Sequence, residues 1–290
     1  MRMGKSFTYN VKLYTINTGY FKLDGGAMFG VVPKSIWQKT NPADENNLCL
    51  WSMRCLLIVD EDRVILVDNG IGNKQDEKFL KHYYLHGDDT LEKSLASHGY
   101  SRDDITDVFL THLHFDHCGG SIERNSESNL VPAFKNATYW SNRAHWEWAV
   151  IPNDREKASF LKDNILPIQE SGHLKFIDNQ DGVTFTENIK IRFAYGHTDS
   201  MMLPQISYKG KTILFMADLL PSIGHIPLPY VMAYDMFPMK TLEEKKRYLE
   251  EAVENDFILY LEHDPVNECC TLQKTEKGIR VKDVFNLTDI

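Results

Sequence analysis

The order of hydrophobic and polar positions predicts strands and helices that alternate along the whole chain. Short apolar, β-branched runs predict strands at residues 55–59, 64–68, 107–111, 174–177, 189–194, 205–208, 212–216, 257–262, 270–273 and 278–281. Apolar residues at helical spacing predict helices at residues 74–85, 90–98, 142–150, 153–164 and 242–255. The polar residues 60–63 predict a hairpin turn between the first two strands. Because both half-chains pair strands with helices, the pattern predicts an α/β protein.

Composition and charge narrow the class of protein. The 290 residues are 42% hydrophobic and 25% charged, without repeats or a flexible linker, which predicts a single domain over residues 1–290. A net charge of -9 without a basic patch argues against a nucleic-acid partner. No apolar run forms a signal peptide or reaches the roughly 20 residues of a membrane span, so we expect no membrane partner and a cytoplasmic location.

The cysteines point to free thiols. Their number is odd and no C-x-x-C spacing occurs, which argues against a disulfide framework and against a zinc site made of cysteines alone. They are Cys49, Cys55, Cys118, Cys269 and Cys270. Cys118 adjoins a histidine-rich string, but we interpret it as a small packing residue rather than a ligand.

That string, HLHFDH at residues 112–117, is the strongest chemical signal. It places His112, His114, Asp116 and His117 directly after the predicted strand at 107–111. Imidazole and carboxylate together suit zinc, iron, manganese or cobalt. In an extended segment His112 and His114 point the same way, while a turn at the last two residues can direct them to a second ion. A lone histidine would favour a structural role, but four candidate ligands favour a metal site.

Further ligands must come from elsewhere in the chain. His197, Asp218 and His263 each follow the end of a predicted strand, where loops bring side chains together. The other histidines lack that placement and are interpreted as bystanders: His82, His86, His98, His145, His173 and His225.

These motifs resemble the metallo-β-lactamase superfamily over nearly the whole chain. The matching features are HxHxDH at 112–117, Gly-His-Thr at 196–198, the aspartate at 218 and the final histidine in the Glu-His-Asp-Pro at 262–265. The resemblance implies a four-layer αββα sandwich that holds two divalent metal ions, expected to be Zn²⁺, at one edge. It implies His112, His114 and His197 on one ion. It implies Asp116, His117 and His263 on the other, with Asp218 bridging the two.

A narrower resemblance concerns the substrate. Residues 25–34, GGAMFGVVPK, are similar to the N-terminal segment of quorum-quenching lactonases, which open the ring of N-acyl homoserine lactones. The resemblance implies a lactonase in which a metal-bridging hydroxide attacks the lactone carbonyl, a substrate with an apolar acyl chain, and a homodimer. Asp116 is expected to act as a catalytic residue that passes a proton to the leaving alkoxide.

The sequence also departs from that group. Some lactonases carry a tyrosine three residues after the bridging aspartate, whereas Pro221 stands there in this chain. Tyr195 or Tyr230 could substitute for the missing phenol. A zinc β-lactamase is disfavoured because such enzymes are typically exported and usually carry a cysteine where Asp218 stands.

Other functions remain open at the same site. A two-metal site also cleaves phosphotriesters, so an organophosphate hydrolase is the main alternative. A thioesterase of the glyoxalase type would need a basic cluster for its anionic substrate, and a redox diiron protein usually has a glutamate in place of one motif histidine. A protein with purely structural zinc would favour closed, cysteine-rich sites.

Two secondary predictions concern the surroundings of the site. Asp68, at the end of a predicted strand, is expected to orient a ligand histidine or the backbone of the motif. Seven large side chains could line an apolar pocket for the acyl chain, but each could equally belong to the hydrophobic core. These are Met28, Phe29, Trp37, Trp146, Trp148, Phe237 and Met239.

Overall fold

Residues 11–290 are described by a computed structural model. In chain order the strands are β1 (Lys12–Asp24), β2 (Leu48–Asp60), β3 (Arg63–Val67), β4 (Asp107–Phe109), β5 (Ile122–Arg124), β6 (Leu130–Pro132), β7 (Thr138–Asn142), β8 (Leu174–Ile177), β9 (Val183–Thr184), β10 (Ile189–Ala194), β11 (Met201–Tyr208), β12 (Lys211–Phe215), β13 (Ile258–Tyr260), β14 (Cys269–Thr275) and β15 (Gly278–Phe285). The helices are α1 (Gly25–Phe29), α2 (Lys34–Trp37), α3 (Glu77–Lys81), α4 (Leu91–Ser97), α5 (Phe115–Cys118), α6 (Arg143–Val150), α7 (Lys162–Glu170) and α8 (Pro238–Glu254).

The strands form two large sheets and a small hairpin. One sheet has six strands in the order β1-β2-β3-β4-β7-β8, and the other has seven in the order β15-β14-β13-β12-β11-β10-β9. β5 and β6 pair with each other. Neighbours from β3 to β8 in the first sheet are parallel, as are β12 and β13 in the second. The carboxyl ends of parallel strands share one edge of a sheet, which is where loops can assemble a site.

Alternate side chains of β2 face two different layers. Leu56 and Ile58 belong to the core between the sheets, whereas Leu57 belongs to a second core beneath the helices. That second core includes Leu95 of α4, Trp146 of α6 and Ile165 of α7. The first core extends through the second sheet to Tyr248 and Leu249 of α8, which packs against β14. Helices therefore cover the outer faces of both sheets, which confirms the predicted αββα sandwich.

Two predicted helices are wrong in their extent. The helix predicted at 74–85 is only α3, because the side chain of Asp76 caps the amide of Phe79 at 2.7 Å and so starts the helix late. The helix predicted at 153–164 is a series of turns followed by α7. The side-chain oxygen of Asn153 accepts from the amides of Arg155 and Glu156 at 2.9 and 3.1 Å, a local turn that competes with a helix.

The strand predictions also need correction at their ends. The strands predicted at 107–111 and 257–262 are the shorter β4 and β13, and the prediction omitted β1 and β7. In β1 the register shifts between Asn17 and Tyr20, so the strand lacks the regular alternation by which strands are found. Within residues 11–290, no helix has the length and apolar character needed to cross a membrane.

A buried carboxylate accepts several hydrogen bonds at the centre of the first sheet. Asp107 accepts hydrogen bonds from Arg63 at 3.0 Å, from Thr106 at 2.6 Å and from the indole of Trp140 at 2.7 Å. Burial raises the pKa of Asp107, but these hydrogen bonds outweigh burial and lower the pKa below its usual value. The ionised form therefore stabilises the fold above about pH 4, and that contribution is lost as the pH falls through the lower pKa of the folded state.

We expect Asp107→Asn to lower the free energy of unfolding by about 2 kcal/mol at neutral pH. The NH₂ group of the asparagine would face hydrogen-bond donors that the carboxylate now accepts from. The difference from wild type should shrink below about pH 4, where the wild-type carboxylate also takes up a proton. Denaturant unfolding from pH 3 to 7 measures this, with exposed Asp62→Asn as control. A difference that is independent of pH would contradict the assignment.

Candidate metal centre

The histidine string lies in the loop after β4 and continues into α5. Asp68, which follows β3, accepts from the amide and the hydroxyl of Thr111 at 2.8 and 2.6 Å and thereby fixes the start of the loop. The amide of Leu113 donates to Nε2 of His145 at 2.9 Å, and Nδ1 of His145 donates to the carbonyl of Asp199 at 2.6 Å. His145 thus positions the loop, a role that the sequence interpretation of it as a bystander missed.

The first group of candidate ligands joins the string to the second sheet. Nδ1 of His114 lies 3.1 Å from Nε2 of His112 and 3.2 Å from Nε2 of His197, which follows β10. Oδ2 of Asp218, which follows β12, lies 3.2 Å from Nε2 of His197. All four side chains are buried, and their ligand atoms lie within 4.8 Å of one another.

The second group lies beside the first. Nε2 of His117 is 3.1 Å from Nε2 of His263, which follows β13. Oδ2 of Asp116 lies 3.8 Å from each of these nitrogens. Oδ1 of Asp218 lies 3.0 Å from Nε2 of His263 and 3.5 Å from Nε2 of His117. Asp218 therefore offers one oxygen to each group, as a bridging ligand must.

The far nitrogen of each histidine in the two groups faces a hydrogen-bond acceptor. Three histidines face carboxylates: His114 faces Glu156 Oε1 at 2.9 Å, His117 faces Asp68 Oδ2 at 3.0 Å, and His197 faces Asp235 Oδ1 at 2.9 Å. His112 faces the hydroxyl of Thr111 at 3.0 Å, and His263 faces the carbonyl of Ser52 at 2.8 Å. These acceptors fix the hydrogen on the far nitrogen and turn the other nitrogen toward the centre of the group. Asp68 contacts both a histidine of the motif and the backbone at Thr111, the two roles that the sequence predicted for it as alternatives.

The facing atoms fit metal ions. Once the far nitrogens carry the hydrogens, the near nitrogens meet as lone pairs about 3 Å apart, which repel one another unless positive charge lies among them. Oδ1 of Asp218 is buried and makes no hydrogen bond to any residue between 11 and 290, although Nε2 of His263 is close. Imidazole nitrogens and carboxylate oxygens are ligands for zinc and related ions. The cluster is suited to a dinuclear metal site.

The carboxylates of the cluster favour positive charge on some of its histidines, whereas burial lowers the pKa values of His112 and His114. Burial lowers the pKa of His263, but Asp218 outweighs burial and raises that pKa to about 9. The pKa of His197 is raised in the same way, by Asp218 and Asp235. Protons and metal ions therefore compete for these imidazoles, so metal affinity should fall in acid.

Sequence reasoning missed several groups that hold the ligands. Glu156 bonds both His114 and, through its other oxygen, the indole of Trp148 at 2.6 Å, and these contacts outweigh burial and lower the pKa of Glu156 to about 2. Asp235 and Ser52 come from a loop and a strand interior with no motif of their own. The signal available in the sequence was only their polarity, which is common to surface residues.

The remaining histidines lie outside both groups of candidate ligands, as the sequence interpretation expected. His225 is the buried one among them, and both of its nitrogens are engaged by protein atoms. Nε2 lies 2.9 Å from the carbonyl of Met28, and Nδ1 lies 2.9 Å from the hydroxyl of Ser222. Its ring stacks on Phe29 at 4.5 Å, so His225 is a core residue.

Most of the seven large side chains, for which pocket and core were equally good interpretations, belong to the core or lie on the surface. Met28, Phe29, Trp37 and Trp146 are buried, whereas Trp148 is half-buried. Phe237 and Met239 are 45% and 69% exposed. A cavity beside His114 has a volume of about 210 Å³, and none of these seven side chains lines it. It is lined by His114, Arg155, Glu156, Ser159, Ala233, Tyr234 and Met236.

The tyrosines proposed to replace the missing phenol lie elsewhere. Tyr230 packs edge-on against Phe29, and the hydroxyl of Tyr195 bonds Asn179 at 3.0 Å. Neither lines the cavity at His114, whereas Tyr234 does. The loop that carries Tyr234 is brought there by a hydrogen bond from the amide of Met236 to the carbonyl of His197.

Cys118 is placed as a packing residue. Its thiol is fully buried, donates to the carbonyl of Leu113 at 3.3 Å, and has a pKa raised to about 12 by burial. We expect Cys118→Ser to retain the full metal content, since the hydroxyl can keep that hydrogen bond. Elemental analysis of the purified variant checks this, and the loss of one ion per chain would instead identify the thiol as a ligand.

Comparison with known proteins identifies the family. Residues 54–263 match the metallo-beta-lactamase superfamily, which is well over half of the chain. The chain therefore belongs to that superfamily.

Individual relatives are more distant. An N-acyl homoserine lactonase of Bacillus thuringiensis is 25% identical over 197 residues, which cover 64% of this chain and 66% of the relative, just under two thirds. A probable metal-dependent hydrolase from Staphylococcus aureus has a structure similar to this one, with a TM-score of 0.85, 27% identity and 98% of each chain covered. AidC, a dizinc quorum-quenching lactonase, has a TM-score of 0.77 at 21% identity, covering 99% of this chain and 97% of its own, and supports the fold alone.

Proposed function

We propose that the chain is a two-metal hydrolase that opens the lactone ring of N-acyl homoserine lactones, with Zn²⁺ as the metal. The observation that carries this proposal is Asp218, whose two carboxylate oxygens face two separate groups of histidines. The lactonase of B. thuringiensis supports the choice of substrate at 25% identity.

Each ion has its own protein ligands in this proposal. His112, His114 and His197 would hold one ion. Asp116, His117 and His263 would hold the other, and Asp218 would contribute an oxygen to each. Two divalent ions at these residues would supply an activated water at neutral pH and positive charge to stabilise a developing oxyanion.

Asp116 is the proton carrier in this proposal. One oxygen, Oδ2, points toward the nitrogens of His117 and His263, which leaves Oδ1 to accept the proton released by the attacking water and pass it to the leaving alkoxide. We expect Asp116→Asn to slow ring opening about 100-fold, because the amide can still act as an oxygen ligand but cannot carry the proton. Single-turnover rates normalised to metal content measure this step. Full activity with full metal content would disprove the role.

The cavity beside His114 offers the substrate a place to bind. Arg155 donates to the carbonyl of Ala233 and so joins the two loops that form the cavity walls. Met236 gives the wall an apolar surface, and Tyr234, which lines the same cavity, would supply the phenol that is missing after Asp218. An apolar wall with a few polar groups is typical of sites for small amphipathic ligands.

The test of the proposal compares substrates on the metal-loaded enzyme. We expect about two metal ions per chain and lactone hydrolysis that exceeds hydrolysis of paraoxon and of a thioester. His114→Ala should lower activity more than about 100-fold. Even the loss of a residue that only hydrogen-bonds to a metal ligand lowers metal affinity or activity roughly 10–100-fold. His173→Ala, a half-buried histidine outside both groups, is the matched control. Two metals with faster paraoxon hydrolysis would instead identify a phosphotriesterase.

A further inference from the structure

A second large cavity lies on the α8 side of the molecule, away from the residues of the metal centre. It is a groove between the second half of α8, the hairpin of β14 and β15, and the loop at residues 226–229. Its volume is about 550 Å³, which falls in the range of roughly 300–1,000 Å³ that small-molecule sites occupy. None of its lining residues belongs to the two ligand groups.

The floor of the groove is apolar. Leu249 and Ile226 are buried beneath it, and Leu228, Val253 and Ile279 are half-buried along it. Apolar surface of this kind is covered favourably by a hydrocarbon chain, at about 25 cal/mol for each Å² removed from water.

The rim of the groove is basic. It carries four cations, Lys246, Lys274, Lys277 and Arg280. Across residues 11–290, no carboxylate oxygen lies within 4.0 Å of any of their charged nitrogens. Two glutamates, Glu250 and Glu254, also line the groove from α8, so the rim keeps an excess of two positive charges in a chain whose net charge is -9. Such a local excess attracts anions against the overall charge of the protein.

We propose that this groove binds an amphipathic anion, namely a medium-chain carboxylate whose hydrocarbon tail lies on the apolar floor and whose head group meets the basic rim. The apolar floor favours a hydrocarbon tail, and the four cations, which pair with no carboxylate among residues 11–290, favour a negatively charged head group. This binding site does not depend on the proposed hydrolase activity.

The groove is also connected to the metal centre through one loop. Lys245 of α8 is buried, and its ammonium group donates to the carbonyls of Pro227, Leu228 and Tyr230 at 3.2, 3.3 and 2.6 Å. The same loop continues to Asp235, which holds His197. A ligand in the groove therefore contacts a segment that leads directly to a positioning residue of the site.

The experiment is calorimetric titration of the metal-loaded enzyme with decanoate. Decyltrimethylammonium, with the same chain length and the opposite charge, and acetate, with the head group alone, are the comparison ligands. We expect one decanoate per chain and no binding of the other two at the same concentrations. The paired reversal Lys277→Glu/Arg280→Glu should weaken decanoate binding about tenfold, and Val253→Asp should weaken it independently by disrupting the floor.

The control reverses two exposed lysines elsewhere in the same sheet, Lys190→Glu/Lys211→Glu, and should leave binding unchanged. Melting curves establish that every variant is folded. Decanoate binding that survives both groove variants would place the ligand elsewhere, for instance at the metal centre, and would overturn the proposal. Equal binding of the cationic amphiphile, or a groove variant that only splits a dimer in sedimentation, would overturn it as well.

Discussion

Asp218→Asn is expected to remove at least one metal ion per chain and nearly all hydrolytic activity. Its two oxygens face His197 at 3.2 Å and His263 at 3.0 Å, so a single side chain serves both groups. An asparagine has one acceptor oxygen and turns an NH₂ group toward the other imidazole, and it also removes a negative charge from between the ions. Loss of a residue that only hydrogen-bonds to a metal ligand typically weakens metal binding roughly 10–100-fold. Loss of the bridging carboxylate itself should therefore weaken it at least about 100-fold.

Metal titration by competition with a chromophoric chelator measures this affinity for the wild type and the variant. Asp154→Asn, which changes an exposed aspartate paired with Lys157, is the control and should bind metal normally. An Asp218→Asn enzyme that kept two tightly bound ions would show that the bridge is dispensable. The two-group arrangement would then need a different explanation.

Gly196→Ala is expected to destabilise the protein by about 3 kcal/mol and to weaken metal binding. A Cβ atom at position 196 would lie 2.6 Å from Cα of Thr241 and closer still to its amide nitrogen, and this backbone at the start of α8 cannot move aside alone. The carbonyl of Gly196 also accepts from the amide of Phe237 at 2.8 Å. Separating these segments would displace His197, the next residue in the chain.

Thermal unfolding with and without added metal measures both effects. Gly26→Ala is the matched control, because its new methyl group would approach only side-chain atoms, Oδ1 of Asp24 at 2.9 Å and Nδ2 of Asn47 at 3.7 Å. It should cost at most the cap that Asp24 provides to the amide of Ala27, about 1 kcal/mol. A stable Gly196→Ala variant with full metal content would mean that α8 can shift without disturbing the ligand next to it.

The ligand cluster was largely predictable because its signals are local. The string at 112–117 is contiguous, and His197, Asp218 and His263 stand just past predicted strands, where loops of an α/β sandwich meet. The structure brings all seven side chains together in two adjacent groups. Their division between two ions came from the family resemblance, since spacing along a chain does not say which ends of two separate sheets face each other.

The groups behind the ligands were not predictable in the same way. Glu156 lies in a segment whose helical periodicity is overridden by the Asn153 turn, and its partner His114 is 42 residues away. Asp235 reaches His197 through a loop that has no regular pattern. Helix and strand periodicity describe what an element buries, and these residues are placed instead by irregular backbone and long-range hydrogen bonds.

Large aromatic residues show a further limit of sequence interpretation. Trp37 and Phe29 stack with ring centroids 5.2 Å apart in a buried cluster, although their composition would equally suit a ligand pocket. The distinction depends on whether a neighbouring element covers them. Only the packed structure supplies that information.

The candidate ligands come from both halves of the sandwich. His112 to His117 follow the first sheet, while His197, Asp218 and His263 follow strands of the second. Bound ions would therefore act as a cross-link between the sheets and make folding a metal-linked equilibrium. Each tenfold rise in free metal above the dissociation constant would add about 1.4 kcal/mol per ion to the free energy of unfolding. Starvation for metal would then reduce the amount of folded protein as well as its activity.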